Sequence, residues 1–460
     1  MPIRDWNHSV KYINGITLFF AASAYAQDKP QDKPQGKLPN IIQIVSDDHG
    51  FRHSEPYGDT FVKTPNMNRL AKESMLFDYA FAASPLCSPS RCCIATGVMP
   101  HRNGGDFFGK PYHVKDVCDY LKPLGYQMAS FGKWGITRSK PGEKFDLMGG
   151  RIKFDGDTKK VCTYLKDYKG DKPLFVHIGA SPPHLPWGKN KTYDPAKIPL
   201  PPNYVDTPET RLSMADYYSD VSLLDTMLGD ILDALDEANM KENTILIFTS
   251  DQGAHLPFGK WCLSDGGVRV PFMVRWPGHV KPGVRTNAMI SLVDLVPTYI
   301  EAAKGKIPEG LDGKSLVSLF EGKTNTHREV VFSSHSGNKN GSKANHNECP
   351  MRTVRTPKFR YIFNLYPDRL FNTHIRRLQP YWTSWEAKAK TDDFAKRMVN
   401  AYEHRPQEEL YDLTKDPFGM NNLAANPEYA SIKEKLRKQV LEWSKTQNDP
   451  EGVKIMENFK

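Results

Sequence analysis

The chain of 460 residues carries a net charge of +9, with 39% hydrophobic and 25% charged residues. That balance excludes a disordered or fibrous protein and suits a large globular enzyme with one major domain and a smaller appended one. The positive charge would help attract a polyanion but is explained as well by plain surface solvation, and no basic run interleaved with aromatic residues marks a nucleic-acid binder.

The first element is a targeting segment. Arg4 and Lys11 precede the short apolar stretch 16–22, which leads to Ala24-Tyr25-Ala26. A basic start, a short apolar core and small residues at a cleavage point describe a secretory signal over 1–26. The apolar run falls well short of the roughly 20 residues that span a bilayer, and no later segment is long and apolar enough, so no stable membrane insertion is expected. Residues 27–37, polar and Pro-rich, read as a linker. The mature protein is therefore expected to be exported, periplasmic or secreted, with its fold starting near Leu38.

The run 40–46, rich in β-branched residues and ending in Asp47-Asp48, has the character of a strand buried on both faces. Thr64-Pro65-Asn66 opens a helix over 67–74, since Pro is tolerated in a first turn. Further strands are expected at 127–131, 174–178, 244–250 and 271–275. Between them lies a helix with Tyr218, Val221, Leu224, Leu228, Ile231, Leu232 and Leu235 on one face. Strands alternating with helices predict an α/β domain over 38–325 with a largely parallel sheet. From 326 to 460 the pattern changes to a smaller antiparallel sheet, with strands near 330–333, 351–355 and 359–364. A terminal helix over 430–441 packs on it, and a polar loop occupies 336–347. Of seven cysteines, Cys92 and Cys93 are adjacent and poorly placed to pair with each other. Cys118, Cys162, Cys262 and Cys349 either pair or stay buried.

Asp47 and Asp48 end one expected strand, and Asp251-Gln252 end another. In a parallel sheet such ends meet at one edge, where α/β proteins bind ligands. Three carboxylates and an amide oxygen brought together call for a cation, and hard oxygen donors favour Ca²⁺, or less readily Mg²⁺, over zinc.

The segment Cys87-Ser88-Pro89-Ser90-Arg91, followed by Thr96-Gly97, resembles the hallmark of the formylglycine-dependent sulfatases at every fixed position. Similar family motifs recur along the chain: Ser46-Asp47-Asp48, Thr64-Pro65-Asn66, Gly132-Lys133-Trp134, Pro182-Pro183-His184, Thr249-Ser250-Asp251-Gln252, and Phe258-Gly259-Lys260. The resemblance implies an alkaline-phosphatase-like sandwich, with a large mostly parallel sheet flanked by helices and a smaller C-terminal antiparallel subdomain. It implies oxidation of Cys87 to formylglycine by a formylglycine-generating or anaerobic sulfatase-maturating enzyme. Catalysis would fall to Cys87, Arg91, Lys133, His184 and Lys260, with Ca²⁺ on Asp47, Asp48, Asp251, Gln252 and the converted residue 87.

Two positions depart from the family pattern. Gly135 stands where a histidine is usual, which leaves His113 or His255 to compensate, and Gln252 replaces the usual Asn. The C-terminal text around Cys349-Pro350-Met351-Arg352 resembles the heparan sulfamidase-like branch, implying sugar contacts from His335, His346, Glu348 and Arg352. The expected activity is hydrolysis of a sulfate ester or sulfamate on a carbohydrate. The alternatives are a phosphodiester or phosphonate monoester hydrolase of the same superfamily, and a non-catalytic binder of sulfated glycans.

Overall fold

The apolar run after the linker is a strand, β1 (Asn40–Ser46), with all but its first residue buried. In the computed structural model, which describes residues 37–135, 141–153, 156–188, 191–337 and 349–459, β1 lies at the centre of a nine-stranded sheet. The other strands are β2 (Met75–Phe81), β3 (Gln127–Gly132), β4 (Leu147–Met148), β5 (Leu174–Gly179), β6 (Thr244–Ser250), β7 (Arg269–Val270), β8 (Phe272–Arg275) and β9 (Val284–Ser291). Their order is β4-β3-β5-β1-β6-β8-β2-β7, with β9 also on β2. The run β4-β3-β5-β1-β6 is parallel, whereas β8 is antiparallel to both β6 and β2.

Both faces of β1 are covered, which is why its sequence is apolar throughout. Ile41 and Val45 pack with Phe175, Ile245 and Ile247 on one side. Ile42 and Ile44 pack with Leu224, Leu228 and Ile231 on the other. The latter residues belong to the helix Pro208–Glu237, and all seven apolar residues assigned to one face of it are buried. Burying each Leu or Ile there contributes roughly 1.5–3 kcal/mol.

Helix α1 (Pro65–Lys72) has Pro at its first turn and stops earlier than the sequence suggests. The chain turns at Glu73 and Ser74 directly into β2, a strand whose apolar residues continue the helical run without a breaker between them. A second helix, α2 (Cys87–Thr96), follows β2.

A four-stranded antiparallel sheet is built from β10 (Val331–His335), β11 (Met351–Arg355), β12 (Phe359–Asn364) and β13 (Glu408–Asp412). The helix Ala430–Thr446 packs on β11 and β12 through Leu436 and Val440. Between β12 and β13 lie three short helices that periodicity did not single out. Cys118 and Cys262 are buried thiols, not disulfide partners. Among the described residues, no helix is long and apolar enough to cross a membrane. The signal and linker assigned to 1–37 fall, except for Lys37, outside the described residues.

Candidate active site

Register decides how the acidic residues meet. Ser46 on β1 pairs with Ser250 on β6, so Asp47 and Asp251 leave the sheet side by side. The Asp251 N–H donates to Ser46 O at 3.1 Å. Asp48 takes a left-handed backbone (φ +68°), a conformation that Asp tolerates better than most residues. Its N–H donates to Asp251 Oδ1 at 3.2 Å, and Gln252 Nε2 donates to Asp48 Oδ1. All four side chains are buried.

Helix α2 presents the Cys-x-Pro-x-Arg motif. Pro89 sits in the first turn, where a missing N–H removes no helical bond. Cys87 begins the helix and Arg91 follows one turn later, on the same face. Arg91 donates from Nε to Asp251 Oδ2 at 2.7 Å, from Nη1 to Lys133 O at 2.8 Å and from Nη2 to Ser46 O at 3.3 Å. Ser90 Oγ donates to Asp251 O at 2.5 Å. Thr96 Oγ1 donates to Cys92 O, and Gly97 closes the helix at φ +69°. The fixed residues of the motif therefore start the helix, tie it to the sheet edge and end it.

Lys133 follows β3. Gly132, at φ +80°, and Gly179 face each other so closely that a Cβ on Gly132 would lie 2.1 Å from Gly179 O. This contact carries Lys133 over the end of β5, where its Nζ meets Asp47 Oδ2 at 2.5 Å. Lys260 Nζ lies 2.9 Å from Asp48 Oδ2. His184 Nε2 and His255 Nδ1 approach the same oxygen at 3.9 and 3.7 Å.

Charge balance follows from these contacts. Burial works to raise the Asp47 carboxyl, but Lys133 and Arg91 outweigh it and hold it at about 2. Asp48 is likewise held well below the usual range, against burial, by Lys260 and His184. Burial pushes Asp251 up to about 7, with Arg91 opposing and Asp47 adding to the rise. Burial takes His255 down to about 3 despite its contact with Asp48.

The donors suit a hard cation. Asp47 Oδ1 and Gln252 Oε1 are buried oxygens with no hydrogen-bond partner among the described residues. Asp47, Asp48 and His184 offer ligand atoms within 4.8 Å of one another. Both Asp251 oxygens are already engaged, one by Arg91 and one by the Asp48 N–H.

Cys87, Lys133, His184 and Lys260 line one cavity of ≈ 700 Å³, a size suited to a sugar. His255 is in its wall, whereas His113 is exposed and absent from the described lining. At Gly135 a Cβ would lie 3.3 Å from Arg91 O, so this glycine packs on the backbone of α2. His49, beside the acidic pair, is turned away, with Nε2 2.9 Å from His53 O.

The expected sugar contacts fare differently. Arg352 is buried in an ion pair with Asp449 (2.5 and 2.8 Å) and donates to His335 O at 3.0 Å. His335 is also buried. Neither is among the described lining residues of the Cys87 cavity; strand pairing holds them inside the second sheet. His346 and Glu348 lie outside the described residues. His374, Arg377, Gln379 and Trp261 do line the cavity. Sequence reasoning missed the first three: the helix His374–Leu378 has five residues, too few to show a period.

Family models match the chain as "Sulfatase" over residues 39–305 and as "N-sulphoglucosamine sulphohydrolase, C-terminal" over 253–372. An ulvan-active sulfatase of Formosa agariphila is 33% identical, covering 94% of this chain and 87% of the relative. The human N-sulphoglucosamine sulphohydrolase is 26% identical over 89% of this chain and 91% of its own. A solved structure in complex with its substrate D-glucosamine-2-N,6-O-disulfate superposes with a TM-score of 0.71 at 21% identity, covering 91% of this chain and 99% of the other. A phosphonate monoester hydrolase of Agrobacterium radiobacter gives 0.69 at 20% identity, over 89% and 96%. The fold is thus the alkaline-phosphatase-like sandwich anticipated from the motifs, and the C-terminal match agrees with the sulfamidase-like branch.

Proposed function

Because the chain belongs to the sulfatase family, and so to the hydrolases of sulfuric esters or sulfamates, we propose that its substrate is a sulfated carbohydrate and that formylglycine at position 87 is the nucleophile. The observation that carries this reading is the meeting of Cys87, Lys133, His184 and Lys260 in one cavity, backed by three buried aspartates. Sulfated-sugar relatives support the substrate class, including the ulvan-active sulfatase and the N-sulphoglucosamine sulphohydrolase.

Once converted to formylglycine, residue 87 would supply, as its hydrate, one hydroxyl to attack sulfur and a second whose deprotonation would release sulfate and restore the aldehyde. Ca²⁺ is the cation we assign to Asp47, Asp48, Asp251, Gln252 and residue 87; when bound it neutralises these donors and polarises a sulfate oxygen. Arg91 fixes the start of α2 against the end of β6, which orients residue 87. Lys133 and Lys260 put positive charge beside the sulfate, in a setting where fixed cations act strongly. In this reading His184 hands a proton to the leaving oxygen or nitrogen, and His255 stands next to it, with ring centroids 6.5 Å apart. His255 is therefore our choice for the role left open by Gly135.

Export through a signal at 1–26, and conversion of Cys87 by a formylglycine-generating or anaerobic maturating enzyme, complete the proposal. Two measurements test it. Release of inorganic sulfate from a panel of defined sulfated saccharides is expected, together with loss of the Cys87 sulfur from its tryptic peptide by mass spectrometry. A higher kcat/KM on an aryl phosphodiester than on the matching aryl sulfate would favour the phosphonate-hydrolase reading instead. Tight binding of a sulfated oligosaccharide without turnover, in protein whose residue 87 is converted, would favour a non-catalytic binder.

A further inference from the structure

The cavity at Cys87 has more cationic and donor groups than one sulfate needs. Lys133 and Lys260 are each bonded to an aspartate of the acidic cluster and stand beside the start of α2. Beyond them, the wall is formed by His374, Arg377 and Gln379, which come from the short helix His374–Leu378 and the residue after it. None of the described lining residues of this cavity is Asp or Glu.

The wall is ordered by its own bonds. Arg377 Nε donates to Thr373 O at 3.2 Å. Gln379 Nε2 lies 3.3 Å from His374 Nδ1, which fixes the imidazole beside the amide. The His374 ring lies nearly parallel to Trp261, at 13° and 6.1 Å between centroids, and His255 Nε2 is 3.2 Å from His374 Nδ1. The local field is positive: burial, Lys260 and Arg377 all press His374 toward its neutral form.

We infer that His374, Arg377 and Gln379 form a subsite for a second anionic substituent, a sulfate or carboxylate, on the sugar whose sulfate faces Cys87. This rests on the proposed function and narrows its substrate class to saccharides with at least two anionic groups close together. The groups nearest Cys87 are already committed to the acidic cluster and the reacting sulfate. A planar guanidinium beside an amide donor and an imidazole, with no carboxylate among the described lining residues, is matched to an oxyanion. A second groove, lined by Arg151, Lys153 and Asp220, shares Lys133 and His184 with this cavity but not Cys87. Its described lining includes two carboxylates, Asp47 and Asp220, which repel an anion, so it is the weaker claimant.

The test uses the full-length, calcium-loaded chain carrying Cys87→Ala, so that binding is read without turnover. Calorimetric titration compares D-glucosamine-2-N,6-O-disulfate with the two corresponding monosulfates. The disulfate is expected to bind about tenfold or more tightly than either monosulfate, a preference consistent with one added charge-assisted contact. Arg377→Gln is expected to remove most of that preference, and His374→Ala part of it, with far-UV circular dichroism unchanged. Equal binding of mono- and disulfate, or a preference that survives both substitutions, overturns the subsite. A preference lost with Arg151→Gln instead also overturns it, by locating the second anion in the other groove. Failure of the underlying sulfatase reading shows separately, as absence of sulfate release by the unsubstituted protein.

Discussion

Arg91 and Asp251 form a buried ion pair, Nε to Oδ2 at 2.7 Å, that joins the helix bearing Cys87 to the end of β6. The two residues are 160 positions apart, yet this contact sets how the nucleophile faces the acidic cluster. Removing Arg91 strips Asp251 of the partner that opposes the burial-driven rise of its carboxyl and leaves a buried oxygen without its hydrogen bond, which costs roughly 1–3 kcal/mol. Arg91→Met is therefore expected to lower the free energy of unfolding by about that amount and to abolish sulfate release. Urea unfolding at neutral pH measures it, and an unchanged midpoint would show that the pair is not the tie described.

Cys87→Ala removes a side chain that is buried at a helix start. Sulfate release should fall to background while the melting temperature moves little. Retained turnover of a sulfated sugar would remove residue 87 from the nucleophile's role.

The oxygens Asp47 Oδ1 and Gln252 Oε1, buried without partners among the described residues, imply stabilisation by a bound cation. Added Ca²⁺ at about 100 times its dissociation constant should raise stability by ~2.7 kcal/mol, and a chelator should reverse this. In Asp47→Asn the calcium-dependent rise in melting temperature should shrink markedly. A melting curve insensitive to calcium and chelator alike would count against a metal held by these residues.

Asp449, which is not among the described lining residues of the cavity, provides a pH-dependent contribution. Burial opposes its ionisation, but its bonds from Arg352 and the nearby His101 bring it down from the ordinary 3.8 to about 2. An acid whose folded value lies below its unfolded one stabilises fully above the unfolded value and loses that contribution as pH falls through the folded one. The window is thus pH 4 down to about 2, and the loss across it is about 2 kcal/mol. Asp449→Asn should flatten the acid limb of a stability-versus-pH curve in that window; an unchanged limb would place the titration elsewhere.

Short-range chemistry was legible along the chain. The strands 40–46 and 244–250, the helix through Leu224 and Leu228, and the motif from Cys87 to Gly97 depend on local burial patterns and on residue types that only certain backbone positions accept. The same logic failed at Met75–Phe81, where helix passes into strand with no Gly or Pro between them, and at His374–Leu378, too short for any period. The cationic wall of the cavity was unreadable for that reason. The sugar contacts expected from His335 and Arg352 also failed to reach the cavity, because antiparallel pairing turned Arg352 inward to Asp449.

By itself, then, the sequence determined the type of fold, the motif that starts α2 at Cys87 and the aspartates at two strand ends, since each is a property of neighbouring residues. Only the tertiary structure decided that Ser46 pairs with Ser250, that Arg91 reaches Asp251, and that His255 rather than His113 stands by the cavity. Those outcomes depend on register and chain crossing over more than a hundred residues, where sheet pairing and steric fit, such as the contact of Gly132 with Gly179, select one arrangement from many that local pattern allows.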